Sequence, residues 1–308
     1  EGDSQDKILS RTITGFSEYV SRLRPELVLI HGDRIEAVAA SLVCATNNIR
    51  SAHIEGGEVS GTIDEVYRHC NTKLCTVHFV SSELAKNRVT KLGEHPDRVF
   101  VLGSPELDAH SKRNAISLNE VLSYYDILWD QYGIFIFHSV TSELDGLQKE
   151  IQICCDSLKK IKKNFIVISP NNDPGCEIIF KAIGKLPGSH FKQIPSMRFS
   201  YFSTLLKNSQ IIVGNSSVGV REAPFLGVPS INIGSRQFRR GEAKSIKNVD
   251  VFKNEHLDKM VKSLWGKRFP TDKSFGTGQS AKKFTKILKD KKIWELNLQK
   301  KFFETSSK

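Results

Sequence analysis

The stretch IIVGNSSVGVREAP, residues 211–224, joins an apolar, β-branched run to a Gly-Asn-Ser-Ser turn and then to a helix-length segment. This order is typical of parallel sheets, in which each strand is buried on both faces and reads as a nearly continuous apolar run. Backbone N–H groups at such a helix start, beside two hydroxyls and the helix dipole, suit a phosphate. Helix capping by the serines is the alternative interpretation.

The same alternation of strand and helix extends through most of the chain. Strands are predicted at 27–33, 51–55, 77–82 and 99–104, and again at 133–138, 164–170, 190–195, 210–214 and 229–234. The fold class is therefore predicted to be α/β, with two doubly wound, Rossmann-like domains facing a cleft. We expect domain limits of 1–112 and 113–289, with a C-terminal helix, 290–308, packing back onto the first domain. The first domain is expected to be incomplete, because four strands are predicted there and five in the second.

Composition narrows the class of protein. The 308 residues are 39% hydrophobic, and no run of about 18 apolar residues predicts a membrane span. The first residues lack a basic and then apolar leader, so a cytoplasmic location is expected. The six cysteines form no CxxC pair, which favours reduced thiols and no metal site.

The net charge of +11 at first suggests a nucleic-acid partner. However, 17 of the 45 lysines and arginines lie in residues 241–308, dispersed through helical-looking sequence such as AKKFTKILKDKKIWELNLQKKF. This spacing is typical of a solvated helix face. The sequence also lacks a basic strand rich in aromatic residues, so no nucleic-acid partner is predicted.

Carboxylates follow the first two predicted strands, in HGDR (31–34) and HIEGGE (53–58). Parallel strands deliver the residues at their carboxyl ends to one edge of the sheet, where such folds bind ligands, so Asp33 and Glu55 are candidate functional residues. Carboxyl groups held close together raise one another's pKa. The resulting mixture of protonated and ionised groups is what acid–base chemistry requires.

The helix predicted after these turns offers structural roles for nearby acids. Thr62 and Glu65 have the spacing of a capping box, in which Thr62 would be the N-cap. Asp64 and Arg68 stand four residues apart on one helix face, where they could form an ion pair.

The second half supplies groups suited to a nucleotide. Glu222 follows the Gly-Asn-Ser-Ser turn on the same predicted helix, where it could bind ribose hydroxyls. Arg236, in GSRQFRR (234–240), follows the next strand and could meet phosphate charge. His138 ends the strand IFIFH. Together with the acids of the first half, these groups predict a nucleotide diphospho-sugar as ligand.

The motifs HGDR, HIEGGEVSGTIDE, FHSVTSE, PNNDPG, GNSSVGVREAPFLGVPSINIGSRQ and FGTGQSAKKFTKIL together resemble the hydrolysing UDP-N-acetylglucosamine 2-epimerases. The resemblance runs from about residue 24 to 289. It implies a fold of the glycosyltransferase-B type and no cofactor. It also implies conversion of UDP-N-acetylglucosamine and water to N-acetylmannosamine and UDP, the first step of sialic-acid synthesis. Anti elimination of UDP and hydration of the glycal would achieve this, in a homodimer or homotetramer.

The resemblance also implies roles for individual residues. The positions that match the family's catalytic acids are Asp33, Glu55 and Asp64. The positions that match its UDP contacts are Arg34, His138, Ser216, Ser217, Glu222 and Arg236, and Arg68 in the matched helix is expected to bind substrate.

Two departures from the family leave alternatives open. The sequence does not match the strand and glycine/arginine turn with which the family begins, so this segment is expected to be missing, and Ser139 replaces a usual proline. One alternative is a hydrolysing epimerase for a UDP-2,4-diacetamido-trideoxyhexose, as in legionaminic-acid synthesis. Another is a catalytically inactive nucleotide-sugar-binding protein. A glycosyltransferase of similar fold is a third, although it would not need three acids at these positions.

Overall fold

The computed structural model describes residues 4–111, 116–237, 239–253 and 256–304, and the chain divides into two compact units. The first unit comprises Glu1–Val59, Ile63–Asp108 and Ser274–Lys308. The second comprises Ser60–Thr62 and Ala109–Lys273. Each unit contains one parallel sheet, which confirms the α/β fold class predicted from the sequence.

The sheet of the first unit has four parallel strands in the order β1-β2-β3-β4. Its strands are β1 (Val28–His31), β2 (Ser51–Ile54), β3 (Val77–Val80) and β4 (Val99–Val101). The helices of this part are α1 (Gln5–Leu23), α2 (Ile35–Thr46), α3 (Asp64–Leu74) and α4 (Glu83–Lys91), with a 3₁₀ turn at Pro96–Arg98. Helix α5 (Pro105–Ser111) belongs to this unit up to Asp108 and to the second unit from Ala109. All four residues of β3 are buried, as expected for a strand covered on both faces.

The sheet of the second unit has six parallel strands in the order β10-β9-β8-β5-β6-β7. Its strands are β5 (Gly133–Ile136), β6 (Phe165–Ile168), β7 (Phe191–Ile194), β8 (Ile212–Gly214), β9 (Ser230–Ile233) and β10 (Ile246–Val249). The helices are α6 (Leu118–Tyr124), α7 (Leu144–Ile161), α8 (Cys176–Ile183), α9 (Phe199–Asn208), α10 (Val218–Phe225) and α11 (Leu257–Leu264), with a 3₁₀ turn at Val251–Lys253. None of the helices in the described ranges has both the length and the apolar character of a membrane span.

Strand β10 was not predicted from the sequence. It lies at the edge of the sheet, beside β9 alone, and its two central residues, Lys247 and Asn248, are exposed. An edge strand needs no continuous apolar run, because one margin and part of its faces meet solvent. The sequence IKNV therefore lacks the pattern that identified the other strands.

The side chains of β5 alternate between two apolar clusters, one on each face of the sheet of the second unit. Phe135 belongs to an apolar cluster that also contains Val167 and Val213, whereas Ile134 belongs to a second cluster with Ile166. Consecutive residues of a strand point to opposite faces of the sheet. Both faces are therefore packed, and the carboxyl ends of the strands are left for polar residues.

The C-terminal segment belongs to the first unit from Ser274 onward, whereas the sequence-based limit was 289. It contains α12 (Ser280–Leu288) and α13 (Lys291–Glu295). The carboxylate of Asp108 accepts hydrogen bonds from the first two amides of α12, at 2.7 and 2.8 Å. The ring of Phe284 then packs edge-on against Phe79 of β3, at 5.0 Å between centroids. Capping and apolar packing together place α12 in the first unit.

Candidate active site

Glu55 lies immediately after β2 in an unusual backbone conformation. Its φ angle is +70°, in the left-handed region that non-glycine residues seldom adopt. Its amide donates a hydrogen bond to the carbonyl of Phe79 at 2.9 Å, and its side chain is buried. Strain of this kind persists where the surrounding structure imposes it, and such positions cluster at functional sites.

Three polar side chains of the first unit surround the Glu55 carboxylate. His31 Nε2 lies 3.7 Å from Glu55 Oε2 and 3.9 Å from Glu106 Oε1. The hydroxyl of Ser104 lies 3.3 Å from Glu55 Oε1 and also hydrogen-bonds to Glu106. Glu55 thus has an imidazole, a hydroxyl and a second carboxylate within reach of its oxygens, which is a setting suited to proton transfer.

None of His31, Ser104 and Glu106 was predicted from the sequence as a site residue. The available signal was that His31 is the last residue of β1 and that Ser104 and Glu106 follow β4 closely. One ligand atom each from His31, Glu55 and Glu106 lies within 4.8 Å of the others. A divalent cation could use this set, although a histidine between two carboxylates also forms without a metal.

Asp33 is held by a buried arginine. Arg68, on α3, has a side chain that is 1% exposed, and its guanidinium forms an ion pair with Asp33. The same guanidinium donates to the carbonyl of Glu58 at 3.2 Å. The fork of an arginine can thus fix the orientation of a carboxylate and of a turn together. Asp64 begins α3, one turn before Arg68.

The start of α3 lies close to the predicted capping box. The helix begins at Asp64, and its N-cap residue is Ile63, which makes no side-chain capping bond. Thr62 belongs with Ser60 to the segment that packs in the second unit, and the two hydroxyl oxygens are 3.5 Å apart. Ile63 itself has helical backbone angles, with φ −57° and ψ −24°, so the helical conformation starts directly after Thr62.

The turn that carries Asp33 is supported from behind by β2 and α3. The carbonyl of Gly32 lies 3.0 Å from His53 Nε2 and accepts a hydrogen bond from Asn71 at 3.3 Å. Burial lowers the pKa of His53 to about 3, so its ring is neutral near pH 7. Because a carbonyl only accepts, the ring proton must reside on Nε2. Thr72 Oγ1 lies 3.4 Å from the other ring nitrogen.

In the second unit, the Gly-Asn-Ser-Ser turn is built around Asn215. Its side chain accepts from the His138 amide at 2.7 Å and donates to the His138 carbonyl at 2.8 Å. Its own carbonyl accepts from Arg236 Nη1 at 3.2 Å and from Gln237 Nε2 at 3.1 Å. Asn215 therefore joins the ends of β5 and β8 to the turn after β9. Only Gly214 fits beside it, since its φ is +134° and an added Cβ would lie 2.7 Å from the carbonyl carbon of Ile136.

The ring of His138 is neutral near pH 7 and contacts the turn after β6. Burial, with a contribution from the charge of Arg236, lowers the pKa of His138 to about 4. The backbone amide of Asn171 donates to Nδ1 at 3.2 Å, and Oδ1 of the same residue lies 3.0 Å from Nδ1. An imidazole N–H can donate to a phosphate oxygen, and His138 lies beside the permanent charge of Arg236.

The two serines of the turn differ in their contacts at the start of α10. Ser217 is the N-cap residue of α10 but makes no side-chain capping bond. Ser216 Oγ accepts from the Val218 amide at 3.4 Å, which is a long hydrogen bond. Both residues are partly exposed. Their hydroxyls and the N-terminus of α10 together form a cradle suited to an anion.

The remaining predicted residues are placed as follows. Glu222 is buried on α10 and hydrogen-bonds to Nε2 of His110, a residue that the sequence analysis did not select. Arg34 is the exposed N-cap residue of α2, next to Asp33. Gly61, from the motif EVSGTID, donates its amide to the carbonyl of Arg236 at 3.2 Å. The predicted site residues of the first unit are therefore Asp33, Arg34, Glu55, Asp64 and Arg68, and those of the second unit are His138, Ser216, Ser217, Glu222 and Arg236.

Comparison with known proteins gives the family. Residues 1–289 match the protein family described as UDP-N-acetylglucosamine 2-epimerase. The chain is 37% identical to a UDP-N-acetylglucosamine 2-epimerase of Neisseria meningitidis serogroup B, over 99% of this chain and 81% of that protein. It is 29% identical to a hydrolysing UDP-N,N'-diacetylbacillosamine 2-epimerase of Legionella pneumophila, over 93% of this chain and 76% of that protein.

A solved structure agrees with this assignment at the level of the fold. The crystal structure of UDP-GlcNAc 2-epimerase from Neisseria meningitidis bound to UDP-GlcNAc superposes with a TM-score of 0.78. The aligned residues are 20% identical and cover 93% of this chain and 82% of that one. From the sequence match over residues 1–289 and the identity to the meningococcal enzyme, the chain belongs to the UDP-N-acetylglucosamine 2-epimerase family.

Proposed function

We propose that this protein is a hydrolysing epimerase that converts UDP-N-acetylglucosamine and water to N-acetylmannosamine and UDP. The observation that carries the proposal is Glu55, a buried carboxylate in strained backbone with His31, Ser104 and Glu106 around it. Relatives named as hydrolysing enzymes, from Legionella pneumophila and Campylobacter jejuni, are each 29% identical to the chain and support the hydrolysing class.

The chemistry is divided between the two units. One carboxylate of the first unit, among Asp33, Glu55 and Asp64, takes the proton from C2 of the sugar. The electrons of that C–H bond form the C1–C2 double bond, and the bond from C1 to the diphosphate oxygen breaks. As that bond weakens, C1 gains positive charge, which nearby ionised carboxylates stabilise. The product of this step is a glycal, with the abstracted proton held on the protein.

The second unit receives the leaving group. Arg236, the ring of His138 and the cradle formed by Ser216, Ser217 and α10 stabilise the charge that UDP gains. Water then adds across the double bond of the glycal, placing hydroxyl on C1 and a proton on C2 from the opposite face. The balance is one water consumed, one UDP released and C2 inverted.

A second sugar deserves a direct comparison. The relative from Legionella pneumophila is named for UDP-N,N'-diacetylbacillosamine, which also carries an acetamido group at C2, next to the proton that must be removed. The same acids would serve either substrate. We rank UDP-N-acetylglucosamine first because the more similar relative, at 37% identity, is named for it.

The decisive experiment supplies UDP-N-acetylglucosamine without any acceptor and quantifies the products by chromatography. We expect equal amounts of UDP and N-acetylmannosamine. UDP-N-acetylmannosamine with its diphosphate intact would show a non-hydrolysing epimerase. Tight UDP binding without either product would show an inactive nucleotide-sugar-binding protein. A parallel reaction with the UDP-2,4-diacetamido-trideoxyhexose compares kcat/KM, and a higher value there would reassign the substrate.

A further inference from the structure

Three buried polar side chains form a chain of hydrogen bonds in the second unit. Nδ1 of His110, on α5, lies 2.8 Å from the hydroxyl of Ser203 on α9. Nε2 of the same ring bonds to the carboxylate of Glu222 on α10. The His110 side chain has no exposed surface, and that of Glu222 is 9% exposed. Polar groups buried this deeply are costly unless each is bonded.

The proton positions in this chain follow from the partners. An ionised carboxylate only accepts hydrogen bonds, so Nε2 of His110 must carry a proton whether the ring is neutral or charged. The Ser203 hydroxyl can then donate to a bare Nδ1 or accept from a protonated one. Ser203 therefore holds the ring in place in either state, and His110 always presents a donor to Glu222.

Serine, histidine and glutamate are also the residue types of a hydrolase triad, but the burial argues against that use. Ser203 is 2% exposed and lies on α9 between Phe202 and Thr204. A nucleophile must reach a substrate carbonyl, which this hydroxyl cannot do from inside the unit. The arrangement is instead suited to holding one carboxylate in a fixed orientation.

Glu222 is well placed to contact a nucleoside beside the anion cradle. It lies on the same helix as the cradle, five residues after Ser217, or about 7.5 Å along the helix axis at about 1.5 Å per residue. This spacing is on the scale of the separation between the diphosphate and the ribose within one nucleotide. A carboxylate there can accept from the two ribose hydroxyls, provided that it stays ionised and correctly turned.

We propose that His110 is a positioning residue for ribose recognition: with Ser203 behind it, it orients the ionised carboxylate of Glu222 toward the hydroxyls of a bound nucleoside diphosphate. The inference rests on the proposed function, because it takes UDP as the ligand of this unit. Without His110, the buried carboxylate loses a charge-assisted hydrogen bond and is no longer held in one orientation. It then becomes a poorer acceptor for the ribose.

The test compares UDP with 2′,3′-dideoxyuridine diphosphate by titration calorimetry on the full chain. The wild type is expected to bind UDP more tightly by about 10-fold or more, the usual size for a hydrogen bond to a charged group. His110→Leu is expected to lose most of this preference by weakening UDP alone. His110→Gln, which can place an amide donor near the position of Nε2, is expected to restore part of it. Glu222→Gln, which lacks the carboxylate itself, is expected to show the smallest preference for UDP over the dideoxy analogue.

The matched control is His190→Leu, an exposed histidine of the same unit that contacts Asn164 instead. It should leave both affinities unchanged. If His110→Leu does not fold, Ser203→Ala provides the test, and a preference lowered about 3-fold is expected from a less constrained ring. An unchanged preference in that variant, or an equal loss of both ligands in His110→Leu, would overturn the proposal.

Two results for the wild type separate this inference from the proposed function. If UDP and its dideoxy analogue bind equally, Glu222 does not recognise the ribose hydroxyls, and the role proposed for His110 is contradicted. UDP binding by the second unit would still be supported. If the wild type binds neither ligand, the proposed function fails first, and this inference fails with it.

Discussion

Replacing Glu55 with glutamine is expected to lower the rate of UDP release by about 10³-fold, within the range of a lost general acid or base, and to leave UDP affinity within about 2-fold. The amide has nearly the same shape as the carboxylate and can still accept from Ser104, so the fold should persist. It cannot take a proton near pH 7. Turnover is measured by coupled UDP detection and affinity by calorimetry.

The control for this variant is Glu36→Gln, an exposed glutamate in the first turn of α2 in the same unit. It should behave as the wild type in both assays. Loss of UDP binding in Glu55→Gln would show that Glu55 contacts the nucleotide rather than the sugar. Retention of more than about a tenth of the wild-type rate would remove Glu55 from the acid–base chemistry.

The largest expected effect on stability is at Glu94, which lies in a buried network of charges in the first unit. Its side chain is 2% exposed and lies 2.6 Å from Lys73 Nζ, 2.8 Å from Lys300 Nζ and 3.1 Å from His78 Nε2. Lys300, in the C-terminal segment, also donates to the carbonyl of Thr72 at 3.1 Å. Glu94 thus connects the C-terminal segment, through Lys300, with Lys73 of α3 and His78 of β3.

Glu94→Gln is expected to lower the free energy of unfolding by about 3–5 kcal/mol at pH 7, because it leaves the partly buried ammonium of Lys300 without its counter-charge. Urea unfolding followed by circular dichroism measures this, with Glu36→Gln again as the exposed control. A loss below about 1 kcal/mol would show that the network is solvated like a surface ion pair.

The same network predicts how stability depends on pH. Burial opposes ionisation of Glu94, but the hydrogen bonds from His78 and Lys300 and the charge of Lys300 outweigh it and lower the pKa of Glu94 to about 2. Because the folded-state pKa lies below the unfolded value, this stabilisation is complete above about pH 4.5 and is lost as the pH falls toward 2. The difference between wild type and Glu94→Gln should shrink over that window.

The sequence predicted those parts of the fold that depend on the pattern of apolar and polar residues within a short segment. Continuous apolar runs followed by turns identified the four strands of the first sheet and five of the six in the second. Edge strand β10 was missed because two exposed polar residues interrupt its pattern. The lysines of the C-terminal region were interpreted as a solvated face, whereas Lys300 is a partly buried partner of Glu94. Helical spacing alone carries no information about that contact.

The candidate site was predictable only in part, for a related reason. Asp33 and Glu55 stand at strand ends, a position that the sequence reveals. His31 and Glu106 come together with Glu55 only when strands β1, β2 and β4 are assembled into one sheet. His110 and Glu222 are 112 residues apart, and only the packing of α5 with α10 joins them. Contacts of this range have no short signature in the sequence.

The most direct test of the central claim, that a carboxylate of the first unit removes the C2 proton while UDP departs, is a reaction with UDP-N-acetylglucosamine in deuterium oxide. Proton NMR and mass spectrometry of the free sugar then report the isotope at C2. Our account predicts N-acetylmannosamine carrying deuterium at C2, formed in equal amount with UDP, because the proton returned to the glycal comes from solvent-exchanged groups. Free sugar that retains the original hydrogen at C2 would contradict it.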